Sequence, residues 1–133
     1  DYRLDNMMFG PAGSANEFVL IDWQLCSTGA ATQDLQYFIS GNLKKEVIAA
    51  STDDLLDTYH EALRESGVKD YSRAELAADF ARTSLLLGFY LVTGITNLDP
   101  EAYNERGHEL IEVMYGSLVD SMMRYDAERF LPS

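Results

Sequence analysis

From Thr32 to the end of the chain the apolar residues recur at the spacing of a helix face, and in the segment before Thr32 they do not. That change of period most constrains the fold. Leu35, Phe38 and Ile39 form one stripe with Gly41 as its stop, and Leu55, Leu56, Tyr59 and Leu63 form a second ended by Gly67. A turn or short helix through Lys44 to Ala50 is expected ahead of the second. Ser72-Arg73-Ala74-Glu75 has capping-box spacing, a hydroxyl three residues before a Glu that can reach back. A long helix should start there, carry Leu76, Phe80, Leu86, Leu87, Tyr90 and Leu91, and fade between Thr93 and Asn97 around Gly94. Asp99-Pro100-Glu101 is a further start signal, followed by Ile111, Met114, Leu118, Met122 and Tyr125 on one helical face. Upstream, Asn6 to Phe9 and Glu17 to Trp23 flank the turn-rich Gly10 to Asn16, which reads as a β-hairpin. The expectation is a mainly α chain with a small β-hairpin packed on about four helices. Strand alternation and i, i+4 patterning put Val19, Ile21, Leu56, Tyr59, Leu86, Leu118 and Met122 in its core.

Composition narrows the function classes. With 133 residues, 47% of them hydrophobic, the chain suits a single domain and is too apolar for a disordered acidic tail. Its 22 acids against 10 Lys and Arg give a net charge of −12. No basic stripe is available to displace counterions from phosphates, so neither a nucleic-acid nor an anionic-membrane partner is expected. The apolar run Leu85 to Val92, broken by Gly88, falls short of the roughly 20 residues a membrane span needs. Cys26, the single cysteine, forms no internal disulfide, which suits a reducing, cytoplasmic location. No basic segment precedes an apolar one, so no signal peptide is visible.

The residues that suggest chemistry are acids and an amide near the start. Asp1-Tyr2-Arg3-Leu4-Asp5-Asn6 sets an Asp five positions ahead of an Asn, and the hairpin delivers Asp22 at the end of Phe18-Val19-Leu20-Ile21-Asp22-Trp23. Strand pairing would bring Asn6 and Asp22 to one end of the hairpin. Amide and carboxylate oxygens are what Mg²⁺ prefers, and phosphoryl transfer from ATP needs such ligands beside a carboxylate that takes the substrate hydroxyl's proton. Read singly, Asn6 is a turn residue, Asp22 a strand-end cap and Asp1 a terminal acid.

Taken in order, these elements resemble the aminoglycoside phosphotransferase and kinase-like superfamily, with its H-G-D-x-x-x-x-N followed by a strand ending I-D-W. Gly29 and Gln33-Asp34-Leu35 are similar to the family's later G-x-x-x-x-D-L segment. Small-molecule kinase homologues of the type also found joined to acyl-CoA dehydrogenases are the branch most similar over Asp1 to Asn6. The resemblance implies the C-terminal lobe of a protein-kinase-like α+β fold, formed by residues 1–31 (catalytic loop, metal-binding hairpin and following loop) and a helical subdomain over 32–133. It implies Asp1 as catalytic carboxylate, Arg3 facing the transferred phosphate, Asn6 and Asp22 as ligands of Mg²⁺ and thereby of ATP, and Asp34 as structural support of the catalytic loop. As an acid in a helix's first turn, Asp34 would serve the macrodipole equally well. The substrate would be a small molecule bearing a hydroxyl, either amine-bearing or apolar.

No phosphate-covering loop or nucleotide-binding Lys of an N-terminal lobe is present, since Gly10-Pro11-Ala12-Gly13 falls in the hairpin turn. The chain is therefore expected to be a fragment, inactive alone, partnered by the missing lobe and prone to self-association through an uncovered apolar patch. The rival reading is a catalytically silent kinase-like module that binds a partner with its helical surface. His60 and His108 lack metal-ligand spacing, Asp53, Asp54 and Asp57 read as a solvated acidic face near a helix start, and Cys26 has no activating neighbour.

Overall fold

The computed structural model describes residues 2–24, 26–97 and 104–132. A 3₁₀ turn, Leu4–Asn6, leads into strand β1 (Met7–Phe9), which pairs with β2 (Phe18–Leu20). Four helices follow, α1 (Thr32–Asn42), α2 (Lys45–Glu65), α3 (Arg73–Asn97) and α4 (Glu105–Arg124), before a last 3₁₀ turn, Ala127–Phe130. This is the expected mainly helical chain with one hairpin.

Local chemistry sets the helix ends. Glu75 Oε2 accepts from both the backbone N–H and the hydroxyl of Ser72, each at 2.7 Å, and the Ser72 hydroxyl accepts from Glu75 N–H at 3.2 Å. The capping box is therefore closed in both directions. Ser72→Ala removes the acceptor for Glu75 N–H and is expected to cost about 1 kcal/mol, read as a lowered urea midpoint with an unchanged m-value. At the end of α2, Gly67 takes φ +96°. Val68 N–H then reaches back to Leu63 C=O and Gly67 N–H to Arg64 C=O, both at 3.0 Å. This Schellman pairing needs the left-handed residue that glycine supplies without a Cβ clash. The α4 cap is Asn104, whose side chain accepts from Gly107 N–H; the start signal at Asp99-Pro100-Glu101 lies outside the described residues.

The helical core is centred on Ile39, Leu56, Leu76 and Phe80, all at most 1% exposed. Leu118 of α4 is equally buried, and Phe80 meets Tyr125 edge to face at 5.4 Å. Hydroxyl and amide groups stitch the helices where small side chains bring them close. Thr83 Oγ1 donates to Asp79 C=O, so the 2.6 Å contact between Thr32 and Thr83 has Thr32 as its donor. Ser121 donates to Gln36 Oε1 at 3.2 Å across α4 and α1. A Cβ added at Gly88 would lie 2.6 Å from Met122 Cε, the end of a flexible side chain that fills the space the glycine leaves. By length and composition α3 could cross a membrane; in this fold it is the helix that α1, α2 and α4 all contact.

Several expectations need correcting. Lys44 to Ala50 holds no separate turn or short helix, because α2 runs unbroken from Lys45. The long helix, by contrast, starts at the capping box as expected and is described through Asn97, within the stretch where it was expected to fade. Leu56 and Leu118 are buried as expected and Tyr59 and Met122 are half-buried, but Val19, Ile21 and Leu86 are exposed. Leu86 falls off the α3 face carrying Leu76, Phe80, Thr83 and Leu87. Val19 and Ile21 stay exposed because only the base of the ribbon is tucked in. Met7, paired with Leu20, is buried, while the far pair Phe9 and Phe18 stack on each other at 5.4 Å with their rings exposed.

The acids Asp53, Asp54 and Asp57 are exposed as expected, but they lie mid-helix rather than near a helix start, and two of them carry ion pairs. Mid-helix Asp53 accepts from Arg124 at 2.7 Å and from the Tyr125 hydroxyl at 2.8 Å, and Arg73 pairs with Asp53 and Asp57. Burial, then this hydrogen bond, pushes the Tyr125 phenol up to about 12, while the same bond holds the Asp53 carboxyl below its ordinary range. The unfolded phenol releases its proton near pH ~10, so the folded state gains stability from holding it below that pH and loses the gain as pH rises toward ~12. Asp53 acts with the opposite sign, its contribution being lost as pH falls below ~4. Melting curves should therefore fall less steeply between pH ~10 and ~12 in Tyr125→Phe than in the unsubstituted protein, from a lower starting value.

Candidate active site

The segment ahead of β1 is held by α1. Leu4 N–H donates to Asn42 Oδ1 at 2.9 Å, the Asn42 amide donates in turn to Phe38 C=O at 3.0 Å, and the Tyr2 ring packs on Phe38 with centroids 5.8 Å apart. Asp5 lies 3.8 Å from Arg106 of α4. Asn42 was not among the expected site residues; its signal was a polar amide placed between Gly41 and Leu43 just past an apolar stripe.

The hairpin places Asn6 and Asp22 as its register requires. Pairing runs Met7 to Leu20, and one step beyond it Ile21 N–H donates to Asn6 C=O at 2.9 Å. Asn6, 6% exposed, closes the base of the hairpin, and Asp22 follows Ile21 immediately on the other strand. Asp22 takes φ +64°, a left-handed conformation that ends strand pairing at Leu20 and turns the chain away. The strands are accordingly shorter than the apolar runs implied. Trp23 is steered by its indole N–H, which donates to Leu20 C=O at 2.8 Å.

Beyond that turn lies a cleft of about 340 Å³ lined by Tyr2, Asp22, Trp23, Cys26, Asp34 and Tyr59, among others. Two carboxylates and three aromatic rings share it. Tyr59 donates to Ala31 C=O at 2.9 Å, and burial, with Asp34 adding to it, holds its phenol above the ordinary value. Asp34 sits exposed in the first turn of α1, and among the described residues its carboxylate makes no hydrogen bond. The structure thus brings Asp22 and Asp34 to one cleft, while Asn6 is buried at the hairpin base and does not line it. Arg3 is half-buried and does not line the cleft. Asp1 lies outside the described residues.

The donor chemistry fits a hard cation that shares its shell with other ligands. No group of three His, Cys, Asp or Glu side chains gathers among the described residues. Asn6 and Asp22 would offer one amide oxygen and one carboxylate to such a cation, the kind of partial shell that Mg²⁺ accepts.

The ecdysteroid kinase-like family matches residues 1–70, more than half of the chain. The chain belongs to the ecdysteroid kinase-like family. Every residue lining the cleft falls within the part matched by that family. Its kinase-like character agrees with the order Asp1, Asn6, Asp22 and Asp34 and with the mostly helical body bearing one antiparallel hairpin. No curated protein and no solved structure matches the chain significantly.

Proposed function

We propose that this member of the ecdysteroid kinase-like family carries the metal and substrate side of an ATP-dependent phosphotransfer centre that phosphorylates a hydroxyl of a small molecule. The observation that supports this reading is the backbone bond of Ile21 to Asn6 at the hairpin base, which leaves Asp22, one residue on, lining an aromatic cleft. The order of motifs also supports a place in the wider aminoglycoside phosphotransferase grouping. When bound, Mg²⁺ and ATP would supply the transferable phosphoryl group and neutralise its developing charge.

The chain's own residues do the positioning. Asp22 and Asn6 are the metal ligands, rigid because the hairpin base fixes both backbones. Asp1 takes the proton of the attacking hydroxyl, and Arg3 presents positive charge to the phosphate being moved. Asp34 braces the loop from the first turn of α1. Asn42 and Phe38 hold that loop from the other end of the same helix, which limits the orientations open to the reacting groups.

On the substrate side, Tyr2, Trp23 and Tyr59 offer flat apolar walls with polar edges, suited to a ring-bearing alcohol. The family's name points to an ecdysteroid, a substrate of that kind. The test, run on this chain joined to the nucleotide-binding lobe the reading requires, is phosphate transfer from labelled ATP to an ecdysteroid, choline and an aminoglycoside in parallel, with and without Mg²⁺. Transfer to the ecdysteroid that requires Mg²⁺ is the expected result, and no transfer is expected from the chain alone. A well-folded two-lobe protein that neither binds Mg-ATP nor phosphorylates any alcohol would overturn the reading and favour a silent binding module.

A further inference from the structure

Among the described residues, α3 and α4 share an apolar face that nothing covers. Thr83 is bonded to Thr32 of α1 and Ser121 to Gln36 of α1, so each helix turns that side to α1. With about 3.6 residues to the turn, Phe89 and Val92 fall on the opposite side of α3, and Tyr115, Val119 and Met123 on the opposite side of α4. The two helices run antiparallel in contact, with Phe80 against Tyr125 and Gly88 against Met122, so these residues form one surface. All are exposed, Phe89 at 62% and Met123 at 79%. From Thr83 to Asn97 the sequence has no charged side chain, in a chain whose net charge is −12.

Area and charge decide what the face fits. An aromatic side chain spans about 150–250 Å², so these exposed side chains present roughly 500 Å² of apolar surface. A standard interface takes about 800 Å² from each partner, roughly 60% of it non-polar, which is an apolar share of about that size. The two ends of the face carry opposite charge. At one end the Phe130 ring lies between the guanidiniums of Arg82 and Arg129, 4.2 and 4.7 Å from its centroid. Arg82, two turns ahead of Phe89, pairs with Asp79 at 2.6 Å, whereas Arg129 is exposed and makes no ion pair among the described residues. At the other end Glu112, one turn ahead of Tyr115 on α4, is exposed and equally unpaired among them. A second copy laid on the face about a two-fold axis across the helices sets each Glu112 beside the other copy's Arg129. An axis along the helices would set acid on acid and arginine on arginine.

We propose that this face is the interface of a two-fold dimer of this chain, with each α3 antiparallel on its counterpart and Glu112 paired to the partner's Arg129. The uncharged stretch of α3 is where two copies of an acidic chain meet without setting like charges together. A two-fold contact of this kind uses the same patch on both copies, so assembly stops at two. The proposal is independent of the kinase reading, because none of these residues lines the cleft and its test uses no nucleotide.

The test is sedimentation equilibrium of the purified chain from about 1 to about 200 µM, where a reversible monomer–dimer equilibrium is expected. Phe89→Glu sets a charge in the middle of the face from an exposed position, so it should keep the helical circular dichroism and weaken the dimer at least about a hundredfold. Glu112→Arg and Arg129→Glu should each weaken it about tenfold, and the two together should restore it to within about threefold. Because the two residues stand at opposite ends of one copy, that rescue can arise only between copies. A chain that stays monomeric throughout would overturn the proposal, and a monomer that binds phosphatidylcholine vesicles would show that the face meets lipid instead. A dimer unmoved by Phe89→Glu would put the contact elsewhere and overturn it equally. So would single charge reversals without effect, a double variant that does not recover, or assemblies that grow beyond two copies.

Discussion

In the two-lobe protein, Asp22→Asn is expected to lower kcat/KM by about a hundredfold or more, the scale of losing one electrostatic partner of a developing charge, with no change in melting temperature. The substitution removes the charge of the proposed metal ligand and keeps nearly everything else. Asp22 is exposed and makes no hydrogen bond with another described residue, so little packing or bonding is lost. Its left-handed backbone, φ +64°, is one that Asn also adopts readily. Asp22→Ala is the less clean variant, because a residue without a short polar side chain pays about 1–2 kcal/mol for that conformation. Calorimetry with Mg-ATP should show weakened binding alongside the kinetic loss. Near-normal turnover in a folded Asp22→Asn protein would remove Asp22 from the metal site.

Phe80→Ala is expected to destabilise the fold by about 3–5 kcal/mol, measured by urea unfolding. The side chain is fully buried among Ile39, Leu56 and Leu76 and carries the edge-to-face contact with Tyr125, so its loss opens a cavity adjoining three helices. Against the roughly 5–15 kcal/mol that holds a typical domain together, that is a large share. Leu86→Ala, six residues along the same helix but 37% exposed, should cost about 1 kcal/mol or less. The contrast separates burial from mere hydrophobicity.

Helix identity and ends were legible in the sequence because caps are local. Ser72 with Glu75, and Gly67 after α2, act within one turn of chain, so their spacing predicts their bonds. Which apolar residue is covered depends on what lies opposite, and that is not local. Val19 and Ile21 alternate like half-buried strand residues, yet the ribbon has nothing packed across it at their level. The ion pairs of Asp53 and Asp57 were not legible for the same reason, since their partners Arg73 and Arg124 lie on other helices. In the candidate site the end-to-end meeting of Asn6 and Asp22 followed from hairpin register, which sequence alone can supply. The support from Asn42 could not be read that way, because it depends on where α1 lies against the segment ahead of β1.

The hairpin's short strands bear on the order in which parts of this protein come apart. A ribbon of two three-residue strands, buried only at its base, has few contacts to lose when it opens, whereas the helices around Phe80 open only with the whole body. Its amide protons should exchange with solvent well before those of α1 and α3. Asn6 and Asp22 sit where the ribbon joins the helices, at the boundary between the part that breathes and the part that does not. Heat or denaturant would therefore separate these two residues, the proposed ligands, while the helical signal is still intact, and anything that clamps the hairpin base would act on them without touching the core.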